Sequence, residues 1–440
     1  MNTRIFISSV CLLSGLAAIG TPVVSDVSMS QDPATCLVTV KYRLSGDPGV
    51  ITLDIQTNYV ENSETKWASI GPENMNGFGG DVHQIVQPTG EGEYRTIHWS
   101  PETYWPGPPK TAGTTRAVVT AWATNAPPDY MIVRLVSPYD VSYYPHVEMV
   151  PGGITNIKYK GEFMAFRKIP AKGVVWMAGL PKTHSNYADA SYPHKVMLTD
   201  DYYMGVYEVT AAQKAAIDDG APSEDRKPKT WTTSKHYRGA AEVAVWPSYK
   251  EDGSFDYEKS HAVVNTSILG KMRERIGIMF DLPTEHQWEY ACRAGSPGSV
   301  YTETVPSLSF TDIEVGKLIS RYSKNKSTED CEGLINNTAT VGSYEPNKWG
   351  LYDMLGNVSE ACLDWYESWS VLYSDPDKVY VDPVGPAQGS ISARIYRGYD
   401  YDTTIGQGKW GLSIGGRESR GRKWDEVWGT EGARLCVTLH

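Results

Sequence analysis

Residues 346–360 read Pro-Asn-Lys-Trp-Gly-Leu-Tyr-Asp-Met-Leu-Gly-Asn-Val-Ser-Glu. Asn, Asp, Glu and two Gly stand among aromatic and aliphatic residues, which is the composition of a buried, tightly turned loop. Gly350 and Gly356 permit backbone angles closed to other residues. Asp353 and Glu360 offer hard carboxylate oxygens, and backbone carbonyls freed between them complete a shell for a cation such as calcium. The plain alternative is a polar turn that satisfies its own backbone.

Other reactive side chains are sparse. Beyond Cys11 the cysteines are Cys36, Cys292, Cys331, Cys362 and Cys436. An odd set leaves at least one thiol unpaired, and Cys36, alone in its region, reads as a buried thiol. The remaining four admit two bridges in any of three connectivities. There is no Cys-x-x-Cys and no nearby histidine pair, so no zinc pattern. His184 and His194 are the nearest histidines to a pair and are ten apart, while His83 and His98 are isolated. No Gly-x-Ser-x-Gly elbow appears.

The chain resembles the formylglycine-generating enzyme, or sulfatase-modifying factor, family over roughly residues 160 to 440. Four blocks carry the resemblance, in the family's order. The first runs from Ile169-Pro170 to Trp176-Met177 and on to Tyr202–Thr210. The second is Leu282-Pro283-Thr284-Glu285-His286-Gln287-Trp288-Glu289-Tyr290-Ala291-Cys292-Arg293-Ala294-Gly295. The third is the loop above, continued to Asp364-Trp365-Tyr366. The fourth is Arg394–Gly398, closing with Gly432-Ala433-Arg434-Leu435-Cys436.

The resemblance implies an irregular, loop-rich α+β fold related to C-type lectins. It implies a structural calcium held by the side chains of Asp353 and Glu360 and the carbonyls of Gly356 and Val358. Ser359 and Ala361 stand where the family usually has tryptophans. Family oxidases convert a cysteine of a client sulfatase to formylglycine, using two cysteines that hold copper(I), for which thiolates are the proper soft ligands. Those cysteines fall in the span that is here Arg397–Arg434, which contains none. The family's turn is here Gly398-Tyr399-Asp400-Tyr401-Asp402-Thr403-Thr404. Copper and oxidase activity are therefore not expected.

The same span is rich in Tyr, Asp, Arg and Trp. Tyr399, Asp400, Tyr401, Asp402, Trp410, Arg417, Arg420, Trp424 and Trp428 give stacking, bidentate hydrogen bonds and cation–π contacts, the repertoire of a carbohydrate or protein binder. The alternative is that Trp410, Trp424 and Trp428 are core residues of the closing strands. The expected function is an exported, non-catalytic binding or scaffold protein. Its rivals are an active family enzyme, a formylglycine-generating or related metal-dependent oxidase, and a hypervariable ligand-binding display protein.

The elements that must position these residues follow from length and pattern. At 440 residues the chain is long enough for two or three domains. Arg4 and the apolar stretch Ile5–Ile19 read as an export signal over residues 1–25, giving a periplasmic or secreted product. No other segment has eighteen uninterrupted apolar residues, so stable membrane insertion is not expected. A net charge of -11 with a pI near 5.4 leaves no basic stripe for nucleic acid. The run Lys227-Pro228-Lys229 reads as a solvated loop.

Residues 26–150 read as an all-β sandwich of immunoglobulin or fibronectin type. Period-two strands at 37–44, 51–56 and 116–122 are separated by Gly- and Pro-rich turns. Residues 138–160 read as a linker and 218–262 as long surface loops. Helices are expected from Thr210, where an Ala-rich run follows a Thr cap, over Thr284–Ala291, where Gln287 sits at capping-box spacing, and over Asn265–Ile276.

Overall fold

The computed structural model describes residues 20–101, 114–180, 182, 192–230, 234–239, 245–298, 300–301, 338–387, 393–403, 413–420 and 429–440. The chain divides into two compact units. One comprises Met1–Ile70 and Gly77–Thr124, the other Gly71–Asn76 and Asn125–His440. The first unit is all β, as expected. Strands Val23–Gln31, Val38–Ser45, Arg95–Trp99 and Phe78–Gly80 form one antiparallel sheet. Strand Gly49–Glu61 centres the other, flanked by Glu64–Ser69, Ile85–Val86 and Thr115–Ala123. Alternation sets the register: Val38, Val40, Tyr42 and Leu44 are buried while Lys41 is exposed. Cys36 sits half-buried at a positive φ of 58° ahead of this strand rather than in the core.

The second unit is the loop-rich α+β domain. Its five-stranded sheet runs Asp140–Tyr144, Tyr130–Arg134, Phe163–Ile169, Tyr202–Gly205, Cys436–Thr438, with every neighbouring pair antiparallel. Two expectations from sequence are corrected here. Residues 138–160 are no linker. Asp140–Tyr144 is the sheet's edge strand, and Met149 and Tyr159 are buried. The prolines and glycines there mark turns between ordered pieces.

Residues 218–262 are not all surface loop either. Tyr237, Arg238, Trp246 and Ser260 are buried, and Arg238 pairs with Asp281 at 3.1 Å. Those partners lie outside the segment, so its polar composition does not reveal them.

The three expected helices form at Ala211–Asp219, Ile268–Ile276 and Glu285–Arg293. Thr210 and Thr284 each make a full capping box with the glutamine three residues on. The Thr284 cap also fixes where its helix begins, and with it the facing of Glu285 and Glu289, one turn apart. The Thr284→Ala variant should lose about 1 kcal/mol of stability in urea unfolding. Thr284→Ser, which keeps the acceptor oxygen, should recover most of it.

Candidate functional site

The Glu285–Arg293 helix is buried almost throughout and carries the domain's polar centre. Glu285 accepts from Arg417 Nε and Nη2 at 2.7 and 2.9 Å, and from Trp369 Nε1 at 2.8 Å. Glu289 accepts from Arg293 at 2.6 Å, from Gly179 N at 2.8 Å and from Arg397 at 2.5 Å. Burial pushes the Glu289 carboxyl up, but Arg293 and Arg397 outweigh it and hold the group below the usual range. Trp288, on the same helix, donates its indole N–H to Glu360 at 2.7 Å. Glu360 also accepts from Arg434 at 2.8 Å.

The loop 346–360 is as compact as its composition predicts. Leu351, Met354, Leu355 and Val358 have no exposed surface. Asn347 fastens the loop to the helix: its side-chain N–H groups donate to the carbonyls of Ala291 and Cys292, and its Oδ1 accepts from Trp349 N and Leu351 N. Asp353 and Asn357 both take positive φ, 55° and 63°, which Asp and Asn tolerate better than most residues.

Of the four expected calcium ligands, Asp353 is the most open. Its Oδ2 accepts from Gly342 N at 2.5 Å, while its buried Oδ1 has no partner among the described residues. The Gly356 N–H donates to Gly398 O, and the Val358 N–H to Glu208. Both Glu360 oxygens are engaged by Arg434 and Trp288. Glu208, which the sequence reading did not single out, is fully buried and accepts from Asn357 at 2.7 Å.

Burial, then the charges of Asp353 and Glu360, raise the Glu208 carboxyl well above its usual range. Asp353 is pushed up to about 6, mainly by burial. The pocket thus holds more carboxylate than Arg434 and Lys160 balance, and an open oxygen. Carboxylate oxygens of this kind suit a hard cation, but Asp353, Glu208 and Glu360 do not all come within 4.8 Å of one another.

Ser359 and Ala361 are both buried, and Ser359 Oγ donates to Glu418 at 2.6 Å. A hydrogen bond and a methyl thus fill the places where the family has tryptophans.

The expected ligand surface is corrected in part. Tyr399, Asp400 and Arg417 are interior, at 2%, 3% and 3% exposure. Tyr399 covers Gly416 so closely that a Cβ there would lie 2.1 Å from the ring. Asp400 closes its own turn, accepting from Asp402 N and Thr403 Oγ1. Arg417 is spent on Glu285 and lies 4.4 Å over the Trp369 ring. Tyr401 is half-buried and Asp402 exposed. Arg420 lies in strand Glu418–Arg420 opposite Arg394. Trp410, Trp424 and Trp428 lie outside the described residues, as do His184 and Cys331.

Two further expectations are overturned. Cys292, Cys362 and Cys436 are buried and make no disulfide. The histidines do form a pair, but across 92 residues: His194 Nε2 lies 2.9 Å from His286 Nε2, stacked against Tyr373 and Trp369. His194 Nδ1 donates to Tyr192 O, which leaves its Nε2 to accept the proton of His286. Burial lowers both histidines, His286 well below its usual value. No local spacing signals such a contact.

Among the described residues, Glu285, His286 and Asp364 form the one trio whose ligand-type atoms all lie within 4.8 Å of each other. Arg417 already supplies the positive charge there.

Residues 159–409 match the sulfatase-modifying factor enzyme 1-like domain, and the chain belongs to that family. It is 39% identical over 124 residues to a formylglycine-generating enzyme of Streptomyces coelicolor, covering 27% of this chain and 35% of that one. It is 26% identical over 238 residues to the formylglycine-generating enzyme of Mus musculus, covering 48% and 60%. A serine/threonine-protein kinase pkn1 of Chlamydia pneumoniae is 31% identical over 211 residues, covering 47% and 28%. The chain thus spans between 28% and 60% of the length of these relatives. Among solved structures, Treponema denticola variable protein 1 aligns at 21% identity with a TM-score of 0.40, covering 62% of this chain and 95% of that one. PvdO from Pseudomonas aeruginosa aligns at 17% with a TM-score of 0.42, covering 62% and 94%.

Burial, then the charge of Glu285, pushes Asp364 up to about 8. Its folded value exceeds its unfolded one, so the native state keeps a proton that the unfolded chain releases. Its contribution is present in acid and is lost as pH rises from about 4 toward 8. Between pH 7 and 8 neither depressed histidine changes charge in the folded state. Asp364 should therefore lower the unfolding free energy by roughly 1 kcal/mol over that unit, in addition to any share from Glu208, whose carboxyl is raised in the same direction. Asp364→Asn should flatten the fall when urea unfolding is compared at the two pH values.

Proposed function

We propose that this chain is an exported, non-oxidising member of the family that holds a structural calcium ion and binds a carbohydrate or protein ligand. The observation that carries this reading is the state of its thiols. The span Arg397–Arg434 has no cysteine. Cys292, Cys362 and Cys436 are fully enclosed, and burial pushes each thiol upward, away from the thiolate form that copper(I) requires. Cys292 faces the Met354 carbonyl and Cys436 faces Gln287, each at 3.8 Å. The sites are fixed by different neighbours and do not converge.

Calcium fits the cluster around Asp353. Its unpartnered Oδ1 is the natural ligand, with Glu208, Glu360 and the carbonyls of Gly356 and Val358 as further donors. The ion would displace the proton that the raised Glu208 carboxyl keeps, neutralise its repulsion with Asp353 and tie the loop to strand Ser359–Trp365.

Export rests on the N-terminal residues: Arg4 followed by the apolar stretch 5–19, which lies outside the described residues. Among the described residues no helix is long and apolar enough to cross a membrane. The acidic charge disfavours a nucleic-acid partner.

Two experiments test this. A cysteine peptide incubated with the protein, copper and oxygen should gain no formylglycine by mass spectrometry; its conversion would establish the oxidase instead. Calcium at about a hundredfold its dissociation constant should add roughly 3 kcal/mol of stability over EDTA. Asp353→Asn, which keeps the acceptor for Gly342, should abolish that gain. A calcium response unchanged in the variant would move the ion elsewhere.

A further inference from the structure

The segment 245–261 walls a cavity that also reaches Leu282, Thr284 and Gln287 at the start of the Glu285–Arg293 helix. It has a volume of about 420 Å3, within the roughly 300–1,000 Å3 of small-ligand pockets. A hairpin closed by Lys250 N to Ser254 O and Gly253 N to Lys250 O brings Tyr249 and Phe255 together, ring centres 6.0 Å apart. Phe255 stands 5.5 Å from Trp246, at a steep angle. Tyr257 completes the aromatic wall.

Two histidines flank Tyr257, at ring separations of 4.5 Å for His261 and 4.9 Å for His440. Both are oriented alike. His261 Nδ1 is held by Asp281 at 2.7 Å and His440 Nδ1 by Asp200 at 3.0 Å. A carboxylate accepts, so each Nδ1 carries a proton, and each Nε2 is left for a ligand hydroxyl. Neither Nε2 has a partner among the described residues. Trp246, only 2% exposed, backs the aromatic wall.

We propose that this cavity binds a saccharide of about one or two residues, stacked on the aromatic wall. The inference deepens the ligand-binding reading above and rests on it. Flat aromatic faces suit the C–H faces of a sugar ring, while the fixed imidazole edges suit its hydroxyls. The other chemistries fit less well. No Lys or Arg lines the cavity, which disfavours an anion.

The three carboxylates on its wall are already engaged. Asp281 holds Arg238, Arg273 and His261; Asp382 accepts from Thr199 N and Oγ1; Asp200 accepts from His440. A cationic ligand would have to compete with these donors for Asp200 and Asp382. A purely apolar ligand would cover the two imidazole edges without offering them a hydrogen bond.

The test uses the full chain on a glycan array, followed by titration of the best neutral glycan using tryptophan fluorescence. Tyr249 and Tyr257, at 46% and 36% exposure, are replaced singly by Ala, and His440 by Phe. Circular dichroism confirms that each variant is folded. Binding weakened roughly tenfold by each tyrosine variant, and weakened in His440→Phe, is the expected result. Val371→Ser, on an exposed residue outside the cavity, should bind unchanged. Glycan binding that survives all three cavity variants would keep the ligand-binding reading but overturn this site. No binding of the folded protein to any glycan would overturn the saccharide assignment, and capture of a protein ligand would then redirect the broader reading.

Discussion

Three buried glutamate–arginine pairs hold this domain together: Glu285 with Arg417, Glu289 with Arg397, and Glu360 with Arg434. In each pair both side chains are at most 1% exposed. Removing an ion from water is costly, and mutual attraction repays that cost only when the geometry is good and the remaining donors and acceptors are satisfied. Partners of several kinds meet most of them, although Arg397 Nε and Nη1 have none among the described residues. Arg434 also reaches the carbonyls of Gly205 and Tyr352, and Trp288 and Trp369 donate their indole N–H groups to Glu360 and Glu285. The pairs therefore specify more than they stabilise. A loop-rich domain with little regular sheet has few ladders to set its register, and these contacts join one helix and one strand to three distant parts of the chain.

The loop 346–360 obeys the same constraint from the other side. It must pass through the interior without leaving amides unpaired, and positive φ at Gly350, Asp353, Gly356 and Asn357 turns it tightly enough to do so. Gly398 is equally constrained. At φ 89° its carbonyl accepts from Gly356, and a Cβ there would meet Met354 O and the Trp288 ring at 3.2 Å. Loop, helix and the turn after strand Arg394–Arg397 are thus fitted to one another, which leaves Asp353 and Glu208 enclosed together.

What was legible in sequence was local. Capping boxes at Thr210 and Thr284 need only residues three apart, and period-two burial in Val38–Ser45 needs only one strand. The turned loop was legible too, because glycine and asparagine announce it. What escaped depended on contacts far along the chain. The polar segment 218–262 becomes interior through Arg238 with Asp281 and through Trp246 O with Arg394. His194 and His286 meet across 92 residues. Tyr399, Asp400 and Arg417 looked like a binding surface because their types suit one. Yet Arg417 is drawn inward by a carboxylate 132 positions away, and residue type alone does not say whether an arginine's partner is a ligand or the protein itself.

The placement of the pairs also bears on how the family frame and oxidase chemistry separate. Arg397, Arg417 and Arg434 stand at the start, middle and end of the span in which the family's copper-binding cysteines would fall. Each is anchored to a glutamate on the Glu285–Arg293 helix or the Ser359–Trp365 strand. Tyr401 and Asp402 take no part in these pairs; Tyr401 N donates instead to Asn357 O in the 346–360 loop. Changing them alters no buried charge pair and strands no buried carboxylate. Changing an arginine would leave a glutamate ionised in a dry interior, the expensive outcome. The interior thus fixes the three arginines by charge, while the span between Arg397 and Arg434 carries tyrosine and aspartate and no cysteine.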